Sequence, residues 1–491
     1  MAVHKVLGTE TEYGVTIRGK RDFNPAVASA LVVNSFPGMR VRVQWSWEEE
    51  TPGRDARGFG HEGHGVVDPD SALVNAVLSN GARLYVDHAH PEYSTPECFD
   101  PWEAALHDKA GETVMRDAMT RAQSVLPEGQ VLKLFKNNTD GKGNSYGAHE
   151  NYLLGRETPF GQVIRYATTF MVSRQIFTGA GKVGSENGRP EVDFQVTQRA
   201  DFFEEEVGLE TTLKRPIINT RDEPHGDPSR YRRLHVIIGD ANLSEVQTFL
   251  KLGVTALFLA ALEDGALPDP IDLRDPVDSC WKVSHDVDLN RSLDLDGGGS
   301  ATALEIQFRY LEWLTKYAER ELDDPVWQLV LDEWKDLMED LESNPSSCAD
   351  RLDWVAKQRL FAAYSERDGA PLAGSKLQAL DLLYHDIDPH NGLYHRLLGA
   401  GKLRRLFTEQ QVAEAAVTPP KRTRAYFRGS CVSRFPESLV AANWDSLIFD
   451  TGEAHLKRVP MMEPLRGTEA GVGELLARVE DAAELIEALG G

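Results

Sequence analysis

The chain has 491 residues, 41% of them hydrophobic and 26% charged, so it can bury a large core and reads as one big domain with a smaller one beside it. Its formal net charge of −24 disfavours a general nucleic-acid binder or a binder of anionic membranes. Four scattered cysteines, Cys98, Cys280, Cys348 and Cys431, show neither metal-ligand spacing nor a disulfide framework. The opening Met-Ala-Val-His-Lys lacks the apolar core of a signal peptide, and no apolar run reads as long enough to span a bilayer. The expectation is a reduced, cytoplasmic protein.

In chain order, residues 5–17 read as a strand, and 25–34 as a helix after Asn24-Pro25. Residues 38–66 hold Gly53, Gly58, Gly60, Gly63 and Gly65 without stable periodicity, which predicts a long, mobile inserted loop. Residues 70–80 read as a helix stopped by Gly81. A strand follows from Arg83. Asp100-Pro101-Trp102-Glu103 combines a cap, a first-turn proline and an acid three after the cap, and predicts a helix to about Val125. Strand-like pieces lie at 131–136, 149–154, 191–198 and 232–238. Helical spacing covers 244–264 and most of 302–363. A composition shift at Thr418-Pro419-Pro420-Lys421 divides a large domain, 1–420, from a small C-terminal one, 421–491, which ends in an amphipathic helix at about 468–489.

The chemistry concentrates on two of these strands. Residues two apart on a strand share a face, so Glu10 and Glu12 stand side by side. Neighbouring carboxylates repel unless a cation lies between them, and Mg²⁺ takes such oxygen ligands. The alternative is a solvated strand face. On the second strand, Arg83, Tyr85 and Asp87 share a polar face opposite Leu84 and Val86, with Glu92 just beyond. An arginine can hold phosphate, a phenol or Glu92 can approach a metal, and Asp87 can act as base or nucleophile. Lys136 to Gly147 is a turn-rich polar loop leading into His149 and Asn151. Arg199, Arg221, Arg232, Arg233 and His235 add positive or titratable groups that suit a phosphate or carboxylate, though surface ion pairing is the commoner fate of a single arginine. Thr178-Gly-Ala-Gly-Lys-Val183 is not a P-loop, His61-Glu-Gly-His64 lacks helical metal spacing, and no Gly-x-Ser-x-Gly elbow is present.

Together these stretches resemble the Pup ligase/depupylase family of actinobacteria, whose members look like carboxylate–amine ligases of the glutamine synthetase superfamily. The likeness rests on Gly8 to Gly14, Asn80 to Glu97, Phe135 to Tyr152, Arg215 to His225, Tyr231 to Asp240, Val283 to Asp286 and Leu383 to Asp386. It implies an α+β fold, a curved and mainly antiparallel sheet backed by helices, plus a small C-terminal domain. Within the family, the segment 38–66, with Arg54-Asp55-Ala56-Arg57-Gly58-Phe59, and the sequence His-Ala-His-Pro-Glu after Asp87 resemble the depupylase branch. The implied activity is hydrolysis of the isopeptide bond between Pup and substrate lysines, and deamidation of the C-terminal glutamine of Pup. The partners implied are Pup and pupylated proteins, without nucleic acid or membrane. The alternatives are a Pup–protein ligase, a small-molecule γ-glutamyl ligase, and a Pup-binding protein without catalysis. The resemblance makes Asp87 the catalytic carboxylate and Glu10, Glu12, Tyr85 and Glu92 the metal positions. It makes Arg83, Thr95 and Trp444 nucleotide contacts, and His149, Arg199, Arg221 and His235 contacts to phosphate or the transition state. The implied cofactors are Mg²⁺ and ATP, or ADP plus phosphate. Because amide hydrolysis is downhill, the nucleotide is expected to act electrostatically without being consumed.

Overall fold

The computed structural model describes residues 2–38, 40–41, 44–45, 53–58, 75–369 and 374–490. Its strands are β1 (Leu7–Glu12), β2 (Gly14–Arg18), β3 (Arg40–Val41), β4 (Gln44–Trp45), β5 (Asn75–Leu78), β6 (Arg83–Asp87), β7 (His90–Ser94) and β8 (Val131–Phe135). They continue with β9 (Ala148–Gly155), β10 (Lys182–Val183), β11 (Phe194–Gln195), β12 (Phe203–Gly208), β13 (Arg215–Asn219) and β14 (Tyr231–Val236). The central sheet runs β14-β9-β1-β7-β6-β5-β3, and each neighbouring pair is antiparallel. The expected α+β architecture, a mainly antiparallel sheet backed by helices, is what the chain adopts.

The sheet has two unlike faces. Leu7, Tyr152, Leu154, Leu234 and Val236 point into the main core beside the helices Phe160–Ser173 and Glu245–Glu263. The helix Pro101–Gln123 lies on that side too, where Thr9 Oγ1 donates to Asp108 at 3.1 Å. Its Gly111 is a close approach, since a Cβ there would sit 2.4 Å from the Tyr93 ring. On the same side Glu150 takes two hydrogen bonds from Arg174, at 2.7 and 2.8 Å, so a buried ion pair anchors β9. By alternation, Gly8, Glu10 and Glu12 face the other way.

Several expectations change. Residues 75–78 are strand, not helix, because pairing with β6 captures Ala76, Val77 and Leu78 in a fully buried run; residues 70–74 lie outside the described residues. Gly81 still ends the run, with φ +79 in the turn to β6. Of 191–198 only Phe194–Gln195 pairs as strand. The C-terminal helix is two, Glu469–Arg478 and Ala482–Ala488, because Asp481 caps a new start by accepting from Glu484 N. The helix Glu245–Glu263 has 19 residues and a hydropathy of 1.4, which is long and apolar enough to cross a bilayer, contrary to the sequence reading; its whole apolar window is buried in the protein as a core helix. Most of 38–66 lies outside the described residues. Its part 53–58 docks on the loop after β13, where Ala56 N donates to Thr220 O at 2.8 Å and Asp222 N to Arg54 O at 2.9 Å.

Beyond β15 (Ser292–Asp294) and β16 (Ser300–Thr302), the C-terminal part carries β17 (Leu439–Ala442), β18 (Ser446–Phe449) and β19 (Lys457–Pro460), with β4 parallel to β17. Residues from Phe427 to Ile486 form a separate apolar cluster, joined by Val77 of β5. What ties it to the central sheet is Glu97, just past β7. Its carboxylate accepts from Arg424 Nε at 2.7 Å and from Arg428 Nη1 at 3.2 Å, and pairs with Arg428 Nη2. Arg428 also donates to Gly81 O at 3.0 Å and Trp444 O at 3.1 Å.

Burial alone would raise the Glu97 pKa, but Arg428 and Arg424 outweigh it and hold the carboxyl at about 2, below its ordinary 4.5. The stability this depressed value contributes is therefore present above 4.5 and is lost as pH falls from there towards 2. Glu97→Gln should lose about 3 kcal/mol at neutral pH, because it leaves two buried guanidiniums short of their counter-charge. In urea melts the gap between variant and wild type should narrow as pH falls through that window; a gap unchanged with pH contradicts the assignment.

Candidate active site

The register assembles the predicted side chains on one face. Glu12 is opposite Glu92, Tyr85 opposite Glu92, Asp87 opposite His90, Glu10 opposite both His149 and Ser94, and His235 opposite Asn151. Cross-strand pairs of this kind lie about 5 Å apart at Cβ, so a surface of five strands converges on a few carboxylates.

Two groups of potential ligands result. Glu12, Asp87 and Glu92 present oxygens within 4.8 Å of one another, and Glu10, His149 and His235 form a second set under the same limit. The Tyr85 hydroxyl donates to Glu92 Oε1 at the rim of the first group. Glu12 accepts from Gly147 N at 2.7 Å and meets His90 Nδ1 at 2.9 Å. Gly147 has no room for a side chain, because a Cβ would lie 2.5 Å from His149 Nε2 and 2.7 Å from Glu12 Oε1. Glu10 accepts from Asn151 Nδ2 at 3.1 Å and Arg233 Nη1 at 3.4 Å, and contacts His149 Nδ1 at 3.3 Å.

The electrostatics follow from this crowding. Glu92 is 1% exposed, and burial together with Asp87, Glu10 and Glu12 pushes its carboxyl well above the usual range. Its Oε2 is buried with no hydrogen-bond partner. A proton or a cation must therefore be held there, and three carboxylates fit a hard divalent ion such as Mg²⁺. Burial would raise Glu10 too, but the His149 hydrogen bond, His235 and Arg233 carry it well below the usual range. Burial pushes His235 well down, so it is a neutral imidazole with lone-pair character. Asp87 is the more open carboxylate, its side chain 37% exposed against 8% for Glu12. Burial raises it and the His88 hydrogen bond lowers it, with a net fall below its ordinary value.

Asp87 ends β6 at a two-residue turn. His88 and Ala89 have φ of +41 and +76, a left-handed pair usually built from Asn-Gly. Ser29 Oγ pins the turn by donating to Ala89 O at 2.7 Å.

Next to this surface is a cleft lined by Val6, Gly8, Glu10, Thr95, His225 and Trp444. Gly8 keeps its floor open, since a Cβ would lie 2.8 Å from Thr95 Oγ1. The cleft is apolar at Val6 and Leu153 and charged at Glu10 and Arg233. Arg83 lies against Tyr85, 3.9 Å from the ring centroid, and its Nε donates to Asn75 Oδ1 at 2.9 Å. Arg221 follows β13 with its Nε buried and no hydrogen-bond partner. Arg199 is placed differently: it is buried and donates to the carbonyls of Ile237 and Gly239. Sequence reasoning did not single out His90, Arg215, His225 or Glu97. The Asp-His-Ala-His spacing gives His90 away once the hairpin is known, and His225 and Arg215 bound a quoted motif.

Comparison with known proteins identifies the family. The family model described as Pup-ligase protein matches residues 5–448. The depupylase of Acidothermus cellulolyticus is 50% identical over 504 residues, covering 100% of both chains. The Pup deamidase/depupylase of Mycolicibacterium smegmatis is 48% identical, covering 99% of this chain and 100% of its own. The crystal structure of the complex between the prokaryotic ubiquitin-like protein Pup and its ligase PafA superposes with a TM-score of 0.80 and 31% identity, covering 96% of this chain and 92% of that one. The ligase PafA in complex with ADP gives a TM-score of 0.75 and 35% identity, covering 82% of this chain and 89% of that one. With full-length identity near one half and the sheet-face carboxylates embedded in the matched span, the chain belongs to the Pup-ligase protein family.

Proposed function

We infer that this chain hydrolyses the isopeptide bond between Pup and protein lysines and deamidates the C-terminal glutamine of Pup. Full-length relatives at 50 and 48% identity carry depupylase and Pup deamidase/depupylase activity in their names, whereas the ligase structures match at 31 and 35%. The observation that carries the reading within this chain is Asp87. It is the open carboxylate beside two buried ones.

Glu12 and Glu92, with Asp87 at the edge, would hold Mg²⁺. Glu10, His149 and His235 would hold a further cation or the oxygens of phosphate. The cleft at Thr95 and Trp444, with Arg233 in its wall, would take the nucleotide base, and Arg83 and Arg221 would meet its phosphates. Residues 421–491 would act as a small domain that brings Trp444 to the cleft. Bound there, a cation and phosphates would supply electrostatic polarisation of the amide carbonyl and offset the carboxylate charge. Asp87 either takes the proton of a water that adds to the amide carbon, or adds itself to give a mixed anhydride that water then hydrolyses; in both routes the C–N bond breaks, and the amine leaves as lysine or ammonia after taking up a proton that comes in the end from that water. Tyr85 holds Glu92 in place through its hydroxyl, and Gly147 N and His90 hold Glu12. Nothing in this sequence breaks a phosphoanhydride bond, so the nucleotide persists between turnovers.

The direct test is ammonia release from glutamine-ended Pup with Mg²⁺ and ATP, or ADP plus phosphate. Conjugate formation instead of release would favour the ligase reading. Asp87→Asn keeps the shape and removes the charge; turnover should fall by about 1,000-fold with ADP affinity intact, and near-normal release rules out Asp87 as the acting group. Glu92→Gln should cut Mg²⁺ affinity by about tenfold or more, read by calorimetry with ADP present, and unchanged affinity removes Glu92 from the cation site. Trp444→Ala should weaken ADP by about tenfold through lost stacking, and equal affinity places the base elsewhere.

A further inference from the structure

Asp201 gathers stretches of the chain that the site above leaves unused. It is fully buried, and its Oδ2 accepts from Lys182 Nζ at 2.9 Å, from Gln195 Nε2 at 2.8 Å and from Glu186 N at 2.9 Å. Its Oδ1 meets His285 Nε2 at 2.9 Å. The Gly-Lys stretch at 178–183, the strand-like piece at 191–198 and the Val283–Asp286 motif thus share one carboxylate. A buried carboxylate with this many donors is a fixed point, because any movement would leave several of those bonds unmade.

What this fixed point holds is Glu186. Its backbone is bonded to Asp201, and its Oε2 takes Lys182 Nζ at 3.1 Å. The same carboxylate reaches across to the polar loop before β9. Oε2 accepts from Thr139 Oγ1 at 2.7 Å, and Oε1 accepts from Gly143 N at 3.0 Å. Residues 140–144 of that loop are exposed, and Gly141 and Gly143 turn it at φ of +67 and +93. Among the described residues, no other side chain from outside 137–147 is hydrogen-bonded to 139–144. A glycine-bearing loop with so few outside contacts does not hold one shape by itself. Its exit runs into the carboxylate face. Tyr146 stacks on His90 with ring centroids 4.3 Å apart, and His90 meets Glu12 Oε2. Gly147 N donates to Glu12 Oε1, and Glu12 N donates back to Gly147 O at 3.1 Å. Where the loop sits therefore decides where both oxygens of Glu12 point.

We propose that Glu186 is a positioning residue for the cation site: by strapping 139–143 to Asp201 it fixes Tyr146 and Gly147 against Glu12, and so holds the Glu12 carboxylate as a divalent ion requires it. This rests on the cation reading of Glu12, Asp87 and Glu92 above. Groups that orient a ligand without touching the metal govern its affinity, because an unheld carboxylate must be ordered when the ion binds. Glu186 acts through the loop and touches neither ion nor substrate. A mere partner for Lys182 would need neither bond to the loop, since Asp201 already faces that ammonium.

Calorimetry of Mg²⁺ binding with ADP present tests it, well below the melting temperature of each variant. Glu186→Ala should bind Mg²⁺ about tenfold more weakly. Its ammonia release from glutamine-ended Pup should recover as Mg²⁺ is raised. Thr139→Val cuts the strap from the loop side and leaves Lys182, Asp201 and His285 as they are; it should lose about fivefold in Mg²⁺ affinity. The double variant should bind Mg²⁺ no more weakly than Glu186→Ala alone. Melting curves report whether each variant folds, and Thr139→Val carries the test if Glu186→Ala does not. Wild-type Mg²⁺ affinity in both single variants overturns the proposal. So do losses that multiply in the double variant, or a rate loss that Mg²⁺ does not repair, since Glu186 then acts by another route. Absence of Mg²⁺ binding by wild-type protein overturns the cation reading, and this proposal with it. The expected order of Mg²⁺ affinities without ammonia release from wild type upholds the strap and contradicts the hydrolase reading alone.

Discussion

Crowding of negative charge on one sheet face is the constraint around which the molecule is arranged. Glu10, Glu12, Asp87 and Glu92 come from three adjacent strands, and antiparallel register leaves them no way to separate. Such a surface is stable only with compensation. Glu10 has it in Asn151, Arg233 and His149, and Glu12 has it in Gly147 N and His90. Glu92 lacks it, with one oxygen bonded to Tyr85 and the other bare and buried. That imbalance is the ground on which we propose a cation there, with Asp87 beside it as the carboxylate open to a substrate.

The remainder of the fold holds this face rigid. Thr9 is bonded to Asp108 and Glu150 to Arg174 beneath it, so β1 and β9 are fixed from the core side. The turn after Asp87 keeps two left-handed residues, a strained arrangement that surrounding contacts such as Ser29 over-determine. Glu97 ties the C-terminal cluster to the strand end nearest the cleft of Thr95 and Trp444, while 53–58 clip to the loop that carries Arg221. Pieces distant in sequence therefore meet at the rim of one surface.

Much of this was legible in the sequence. Glu10 and Glu12, and Arg83, Tyr85 and Asp87, follow a period of two that only a strand explains, and all five share a face. The cap at Asp100 also announced its helix correctly. What local pattern could not give is pairing. Ala76-Val77-Leu78 has no alternation because both sides are buried, so the run passes for helix until β6 is seen beside it. Arg199 and Arg215 are sixteen positions apart and look like isolated surface charges; only the fold brings both to Ser145. His90 and His225 were likewise invisible as partners because their neighbours come from other strands.

The central claim is that Glu12, Asp87 and Glu92 enclose a divalent cation at the point of hydrolysis. Anomalous diffraction from Mn²⁺-soaked crystals of the protein with ADP tests it most directly. The account calls for a peak within coordination distance of oxygens from Glu12 and Glu92, with Asp87 beside it, and for its loss in Glu92→Gln. A fully occupied nucleotide with no metal among these carboxylates would contradict it.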